Sequence, residues 1–379
     1  MNEKQIVILG AGYAGLAAAA RAGKRGRVTL IAPESRILHR IRQHETTAGL
    51  PVTRPAVAEV LRGRGVRHVR ARATELDLGG RKVLLDNGDT VAYDTLVYAL
   101  GSRTSWHGVP GAEEHAYPVE RAAEVAERLR AAERAGSAER PGTVERPGTA
   151  ERAGSTERPG TVAVVGGGAT GIELAAELAE AHPRWTVRIV TGDRVGGWFS
   201  TKGHDHVHRV LRGLGVGIHE QSAVTAVDAE GLTTTAGRIP ADLVVWAASM
   251  EPHPLAARAG LAVTPAGQAV VDDHLRSVSH PEVYVIGDAA EVTVPGTGTL
   301  RMGCATALPQ GQYLGKVLTG RTDKPFAFRY TAQCLSLGRR EGLFQFIHGD
   351  DSMRPTVLTG LAGRLAKAAI LKSVVLSLR

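Results

Sequence analysis

Two glycine-rich turns carry the first chemical signal in the chain. Gly10, Gly12 and Gly15 follow an apolar run at 5–9 (QIVIL) and open an alanine-rich stretch, while Gly166, Gly168 and Gly171 follow 161–165 (TVAVV) and open IELAAELAEAH. This spacing, between a strand and a helix, permits a tight turn, close approach of a pyrophosphate to the backbone, and close packing of helix on strand. The free N–H groups at the helix start then face the anion, with Tyr13, Ala14 and Thr170 filling the positions between the glycines. One such turn is weak evidence. Two imply a pair of dinucleotides held face to face, one reducing the other.

An acid at the end of the second strand would hold a ribose. The first copy has Ala32 there, with Glu34 two residues on, and the second has Thr191 followed by Asp193 and Arg194. The missing acid and nearby arginine favour a 2′-phosphate, whereas glycine as the third fingerprint residue favours NADH, so the donor stays open between NADH and NADPH. Glu173 lies just past the second turn, where an acid also favours the helix dipole. Asp288, after the strand-like run ending at Gly287, can cap a helix.

Other reactive side chains point elsewhere. Cys304 and Cys334 are the only cysteines, too few for a disulfide framework or a four-ligand zinc site. They are expected as small buried residues, with a redox pair as the alternative. Residues 36–50 contain no cysteine, so a disulfide-reductase pair is missing from the start of the chain. His204, His206 and His208 alternate and are not expected to share one helix face; a solvated segment without metal is the expectation.

The frame around these residues is duplicated. Each glycine turn belongs to a β-turn-α-β unit, with second strands at 28–32 and 186–190, and each unit closes on an apolar strand, TLVYALGS ending near Gly101 and DLVVWAAS. VLLDNGDTVAY carries the Asn-Gly signal of a hairpin. From 133 to 162 the sequence repeats hexads such as ERPGTV, whose composition cannot offset its ordering entropy. A helical pattern starts near Ala305, and the tail from 326 reads as strands and a last helix.

Bulk properties set outer bounds. With 379 residues, 43% of them hydrophobic, the chain can fill two or three cores. A net charge of +8 draws in anions without selecting among them, and no nucleic-acid partner is expected on that ground. No run of about 20 apolar residues occurs and no cleavable leader precedes the first strand, so the expected location is cytoplasmic, with peripheral attachment to the inner face of the cell membrane as the variant.

The ordered set GAGYAG at 10–15, ATELD at 73–77, ALGS at 99–102, GGGATGIELAAELAE at 166–180, VIGDAA at 285–290 and CATALPQGQYL at 304–314 resembles the type II NADH dehydrogenase family and the related apoptosis-inducing-factor-like flavoproteins. The resemblance implies that FAD takes the first turn and Asp288, with Gly287 and Asp288 at the ribityl-phosphate region. It implies that the backbone of Ala73 meets adenine and that Arg42 lies near the flavin phosphates, an exposed strand-end arginine being the alternative. The helix from Ala305 would aim its N-terminus at the flavin pyrimidine ring, where a helix dipole stabilises the negative charge of reduction. Gln310 and Gly311 would lie beside that ring and the quinone, or Gln310 is an ordinary polar helix residue. Glu173 would position the nicotinamide or manage protons.

The expected fold is α/β: two Rossmann-like, three-layer dinucleotide-binding domains of the glutathione-reductase kind plus a C-terminal extension. The FAD domain takes 1–120 and 250–325, the repeat linker 121–160, the nicotinamide domain 161–249 and the C-terminal segment 326–379. The expected activity is FAD-dependent NAD(P)H dehydrogenation with a quinone acceptor, implied by the resemblance. A reductase of a small iron–sulfur protein and a flavin-binding redox sensor remain as alternatives. The last helix, with Arg364, Lys367 and Lys372 among apolar residues, suits packing, a homodimer contact or lipid equally.

Overall fold

The computed structural model describes residues 4–23, 27–138 and 160–378. Runs of apolar residues without alternation form strands buried on both faces, as all-parallel sheets require. The first sheet has five parallel strands in the order Val283–Val285, Thr95–Tyr98, Gln5–Leu9, Arg27–Ile31 and Val66–Val69. The second repeats that order read from the opposite edge, with Gly217–His219, Thr186–Val190, Thr161–Val165, Leu243–Trp246 and Ala116–Pro118. The expected α/β architecture is therefore present, and in each sheet the strand before the glycine turn is central.

The edge strands are exchanged in sequence. Ala116–Pro118, which precedes the repeat and falls within the expected 1–120 block, pairs with Leu243–Trp246 in the second sheet. Three residues with a proline have too little pattern to announce their partner. Val283–Val285 returns from beyond the second unit to complete the first sheet. The two crossings pair with each other where Ser102–Thr104 runs antiparallel to Met250–Pro252.

The first hexad residues continue the helix Ala122–Ala138, and the last enter the strand Thr161–Val165, while 139–159 lie outside the described residues. The expected hairpin joins Lys82–Leu85 to Thr90–Ala92, with Gly88 at a positive φ of 85° in the turn. The C-terminal segment folds as three antiparallel strands, Ala332–Leu337, Glu341–Ile347 and Met353–Thr359, followed by the helix Gly360–Leu378. Leu335, Leu337 and Leu343 enter the second unit's core, whereas Val374 and Leu378 enter the first's. This segment thus straps the two units together.

Among the described residues no helix is long and apolar enough to cross a membrane. On the last helix, Gly363, Lys367, Val374 and Leu378 point inward. Leu361, Leu365 and Leu376 are exposed, and at 3.6 residues per turn they fall within an arc of about 60° on the opposite side.

Candidate functional site

The two glycine turns open on one cleft of about 1040 Å³. Gly10, Gly12, Tyr13 and Ala14 line it from the first turn, and Gly168, Thr170 and Glu173 from the second. Within each turn the glycines divide the work. Gly10 and Gly166 adopt φ of 100° and 120°, where other residues are strained. A Cβ on Gly15 would collide with the carbonyl oxygen of Gly10, and one on Gly171 with that of Gly166, so these residues set the helix tight against the strand. A Cβ on Gly12 or Gly168 would meet only open space. Those two residues are the helix N-caps, with no side-chain cap, leaving the first-turn N–H groups to an occupant of the cleft. A dinucleotide pyrophosphate fits this cradle in size and charge.

Around the first turn, Ala73, Gly101, Gly287 and Asp288 all reach the cleft, as does Glu34, an acid two residues late for the ribose position. Asp288 is held from both sides: its carboxylate accepts the Ser102 hydroxyl at 2.7 Å and the Gly303 N–H at 2.8 Å. It therefore stands at the start of the helix Cys304–Leu318, where Ala305 also lines the cleft. Asp288 tethers the N-cap residue Gly303 without capping the helix, whose first-turn N–H groups have no side-chain cap. Arg40 lies nearby, donating to the Ser102 hydroxyl at 3.1 Å and to the Ser102 carbonyl.

At the second turn, Glu173 is buried against a cation from the far end of the chain. Its Oε1 accepts Lys367 Nζ at 2.8 Å and the Ser336 N–H at 2.8 Å, and its Oε2 lies 3.7 Å from His44 Nδ1. Burial alone would push the carboxyl up, but Lys367, His44 and the Ser336 N–H hold it below the ordinary range. Burial likewise opposes charge on Lys367, and Glu173 overcomes it, raising the ammonium above its usual value. The pair is ionic at neutral pH.

The sequence pattern of the pyridine nucleotide-disulphide oxidoreductases matches residues 4–311. The chain belongs to that family. An NADH dehydrogenase-like protein of Mycobacterium tuberculosis is 31% identical over 85% of this chain and 82% of its own. A type II NADH:quinone oxidoreductase of Staphylococcus haemolyticus is 24% identical over 99% of this chain and 94% of its own. In fold the chain is similar to NDH2 from Plasmodium falciparum, solved in complex with NADH, with a TM-score of 0.80 and 16% identity over 98% and 95% of the two chains. The resemblance to type II NADH dehydrogenases is thereby shown.

This oxidoreductase departs from several expectations in its details. Gln310 does not line the cleft; it is buried, and its Oε1 accepts the Gly287 N–H at 2.7 Å, fixing the turn before Asp288. Gly311 packs so closely on the first glycine helix that a Cβ would collide with the Ala14 carbonyl. Arg42 turns away from the cleft to grip Glu45 through Nε at 2.7 Å and Nη2 at 2.5 Å, and Arg40 takes the cleft wall instead. A local acid three residues on outcompetes a more distant partner.

In this oxidoreductase Cys304 and Cys334 are free, half-buried thiols that reach the cleft wall, and Cys304 also packs against the first core. Burial pushes the Cys304 thiol up to about 11, so it stays protonated. The histidine segment is not solvated, because His206 and His208 are buried. His204 and His208, four residues apart, do share a face, with ring centroids 4.2 Å apart, and His208 Nε2 lies 3.4 Å from Glu220 Oε1. Sequence reasoning missed Lys367 and His44. A lone lysine on the inward stripe of the last helix was the available signal, since a buried ammonium requires a buried acid.

Proposed function

We propose that the protein is an NAD(P)H:quinone oxidoreductase that binds FAD at the first glycine turn and NADH or NADPH at the second. The observation that carries this reading is that both turns open on one cleft, which Asp288 and the start of the Cys304–Leu318 helix also line. Gly10, Gly12, Tyr13 and Ala14 would hold the FAD pyrophosphate, Glu34 its ribose, Ala73 the adenine, and Gly287 with Asp288 the ribityl chain. Gly101 would lie along the flavin, and Ala305 would offer it the helix N-terminus, favouring negative charge. Gly166, Gly168, Thr170 and Gly171 would hold the nicotinamide dinucleotide. When bound, FAD would accept a hydride from the nicotinamide and deliver two electrons to a quinone.

The chain's own groups supply orientation and protons. Gln310 fixes the backbone of Gly287 and so the aim of Asp288. Glu173 and Lys367 keep one ammonium and one carboxylate at the wall of the same cleft. The name of the staphylococcal relative supports a quinone acceptor. Quinones reside in lipid, and the exposed Leu361, Leu365 and Leu376 with Lys372 suit contact with a membrane surface on the cytoplasmic side, although the same face could meet a second copy.

An absorbance spectrum of the purified protein, followed by anaerobic titration with NADH and NADPH and then by addition of menadione or a small iron–sulfur protein, tests the reading in order. Flavin bands bleached by a nicotinamide and restored by menadione are expected. A colourless protein that takes up no added FAD, or reoxidation by the iron–sulfur protein alone, would overturn it.

A further inference from the structure

His44 belongs to the short helix Gln43–Thr47, which packs between the helices Ala122–Ala138 and Ala169–Ala181. It is only 4% exposed, yet it reaches the cleft wall. Its two ring nitrogens face two different carboxylates: Nδ1 lies 3.7 Å from Glu173 Oε2 and Nε2 lies 3.9 Å from Glu45 Oε1. Both distances are just beyond hydrogen-bond length, and Nε2 has no hydrogen-bond partner among the described residues. A buried imidazole nitrogen left unpaired costs stability, so its retention needs a reason. On the far side, Glu45 is gripped by Arg42, whose side chain is 29% exposed. On the near side, Glu173 carries Lys367. The order from solvent to cleft is therefore Arg42–Glu45, His44, Glu173–Lys367.

We propose that His44 is the link through which the buried Glu173–Lys367 pair exchanges protons with solvent. The inference rests on the quinone reading. NAD(P)H, a quinone and one proton become NAD(P)+ and quinol, so each turnover withdraws one proton from water into the cleft, whose wall at Glu173 and Lys367 is buried. Imidazole suits the passage because one nitrogen can take a proton as the other gives one up. Nε2 accepts the proton from the Glu45 side, Nδ1 passes its own to Glu173 Oε2, and return of the ring to its first tautomer resets the link. The groups facing His44 are Glu173 and Lys367 across the helix packing and Glu45 and Arg42 on its own segment. Burial lowers the imidazole's basicity, the two acids raise it and the two cations lower it again, leaving a neutral ring that does not trap the proton.

The test compares wild type, H44Q and H44F, as full-length flavin-loaded proteins, with menadione and with ferricyanide, which takes electrons without protons. In H44F the ratio of menadione to ferricyanide turnover is expected to fall at least about tenfold, in line with the loss of a positioned proton-transfer group. H44Q, which keeps the segment's polarity, guards against a folding defect. Apart from turnover, the ¹⁵N resonances of the His44 ring, assigned by their loss in H44Q, should report a neutral ring at pH 7 and move on both E173Q and E45Q. An equal loss with both acceptors, no loss at all, or ring resonances indifferent to both acids would overturn the link. A wild type that reduces ferricyanide but not menadione would instead overturn the quinone reading, and the link with it.

Discussion

Lys367 and Glu173 are 194 positions apart in sequence and 2.8 Å apart in space. Their contact joins the last helix to the second glycine helix at the wall of the cleft, so the C-terminal segment is part of the site rather than an appendage. Each side chain is 9% exposed, which makes the bond a buried one whose value lies in its completeness.

Removing one partner should therefore be far worse than removing both charges. Lys367→Met leaves an unpaired buried carboxylate and is expected to lower stability by about 3–5 kcal/mol in urea unfolding at pH 7. The double variant Glu173→Gln, Lys367→Met should recover much of that loss. Equal stability of the single and double variants would show that the charges are not coupled.

Glu177, one turn beyond Glu173, gives a pH signature of the opposite sign to an ordinary paired acid. Burial raises its carboxyl to about 7, an effect only partly offset by Arg339, whose Nε stands 3.5 Å away, and reinforced by Glu45 and Glu180. Between about 4.5 and 7 the folded state holds a proton that the unfolded chain releases, so stability falls as pH rises through that window, by up to about 3 kcal/mol. Chemical denaturation at pH 4.5 and 7.5 should show this slope in wild type and a flatter one in E177Q.

The glycines of the first turn should separate folding from binding. Gly12→Ala adds a methyl to open space at an extended N-cap, φ −75° and ψ −176°, so it should unfold like wild type within about 1 kcal/mol yet retain little flavin. Gly15→Ala drives a methyl into the Gly10 carbonyl and should cost about 1–3 kcal/mol or more in stability. Thermal unfolding alongside flavin absorbance distinguishes the two effects; a Gly12→Ala protein with full flavin content would contradict the cradle.

The exposed leucines of the last helix offer a clean surface test. Replacing Leu361, Leu365 and Leu376 by Gln removes apolar area without touching Lys367 or the core residues Val374 and Leu378. Co-sedimentation with anionic vesicles should drop by about tenfold or more, since each buried leucine contributes on the order of 1.5–3 kcal/mol. Unchanged vesicle binding together with a change in sedimentation coefficient would assign the face to a second copy instead.

What could be read from the sequence was what is written locally. The glycine spacing, the apolar runs around it and the recurrence of both fixed the two parallel sheets, and Asp288 stood out because it ends a strand. Contacts between distant residues left weaker traces. Arg40 and Arg42 are two positions apart in HRIRQH, and only the presence of Glu45 on the same turn decides which one leaves the cleft. Gln310 is a site residue only by the family resemblance, and the Gly287 N–H, which needs an acceptor, claims its side chain. For the histidines, the three do not share one face, but the expected solvation fails because the helix Thr201–Gly213 is packed on two sides, His206 toward Glu341 and His208 toward Glu220.

The exchange of edge strands reaches beyond the finished architecture to how the chain is made. Ala116–Pro118 emerges early and waits for Leu243–Trp246, while the first sheet stays open along Thr95–Tyr98 until Val283–Val285 has been synthesised. Neither unit can close by itself during translation, so the first glycine turn gains its complete scaffold only after the second has been built. A nascent chain stalled at any point in between would present an unpaired sheet edge to chaperones, and the reciprocal loan of strands makes the two units mature together.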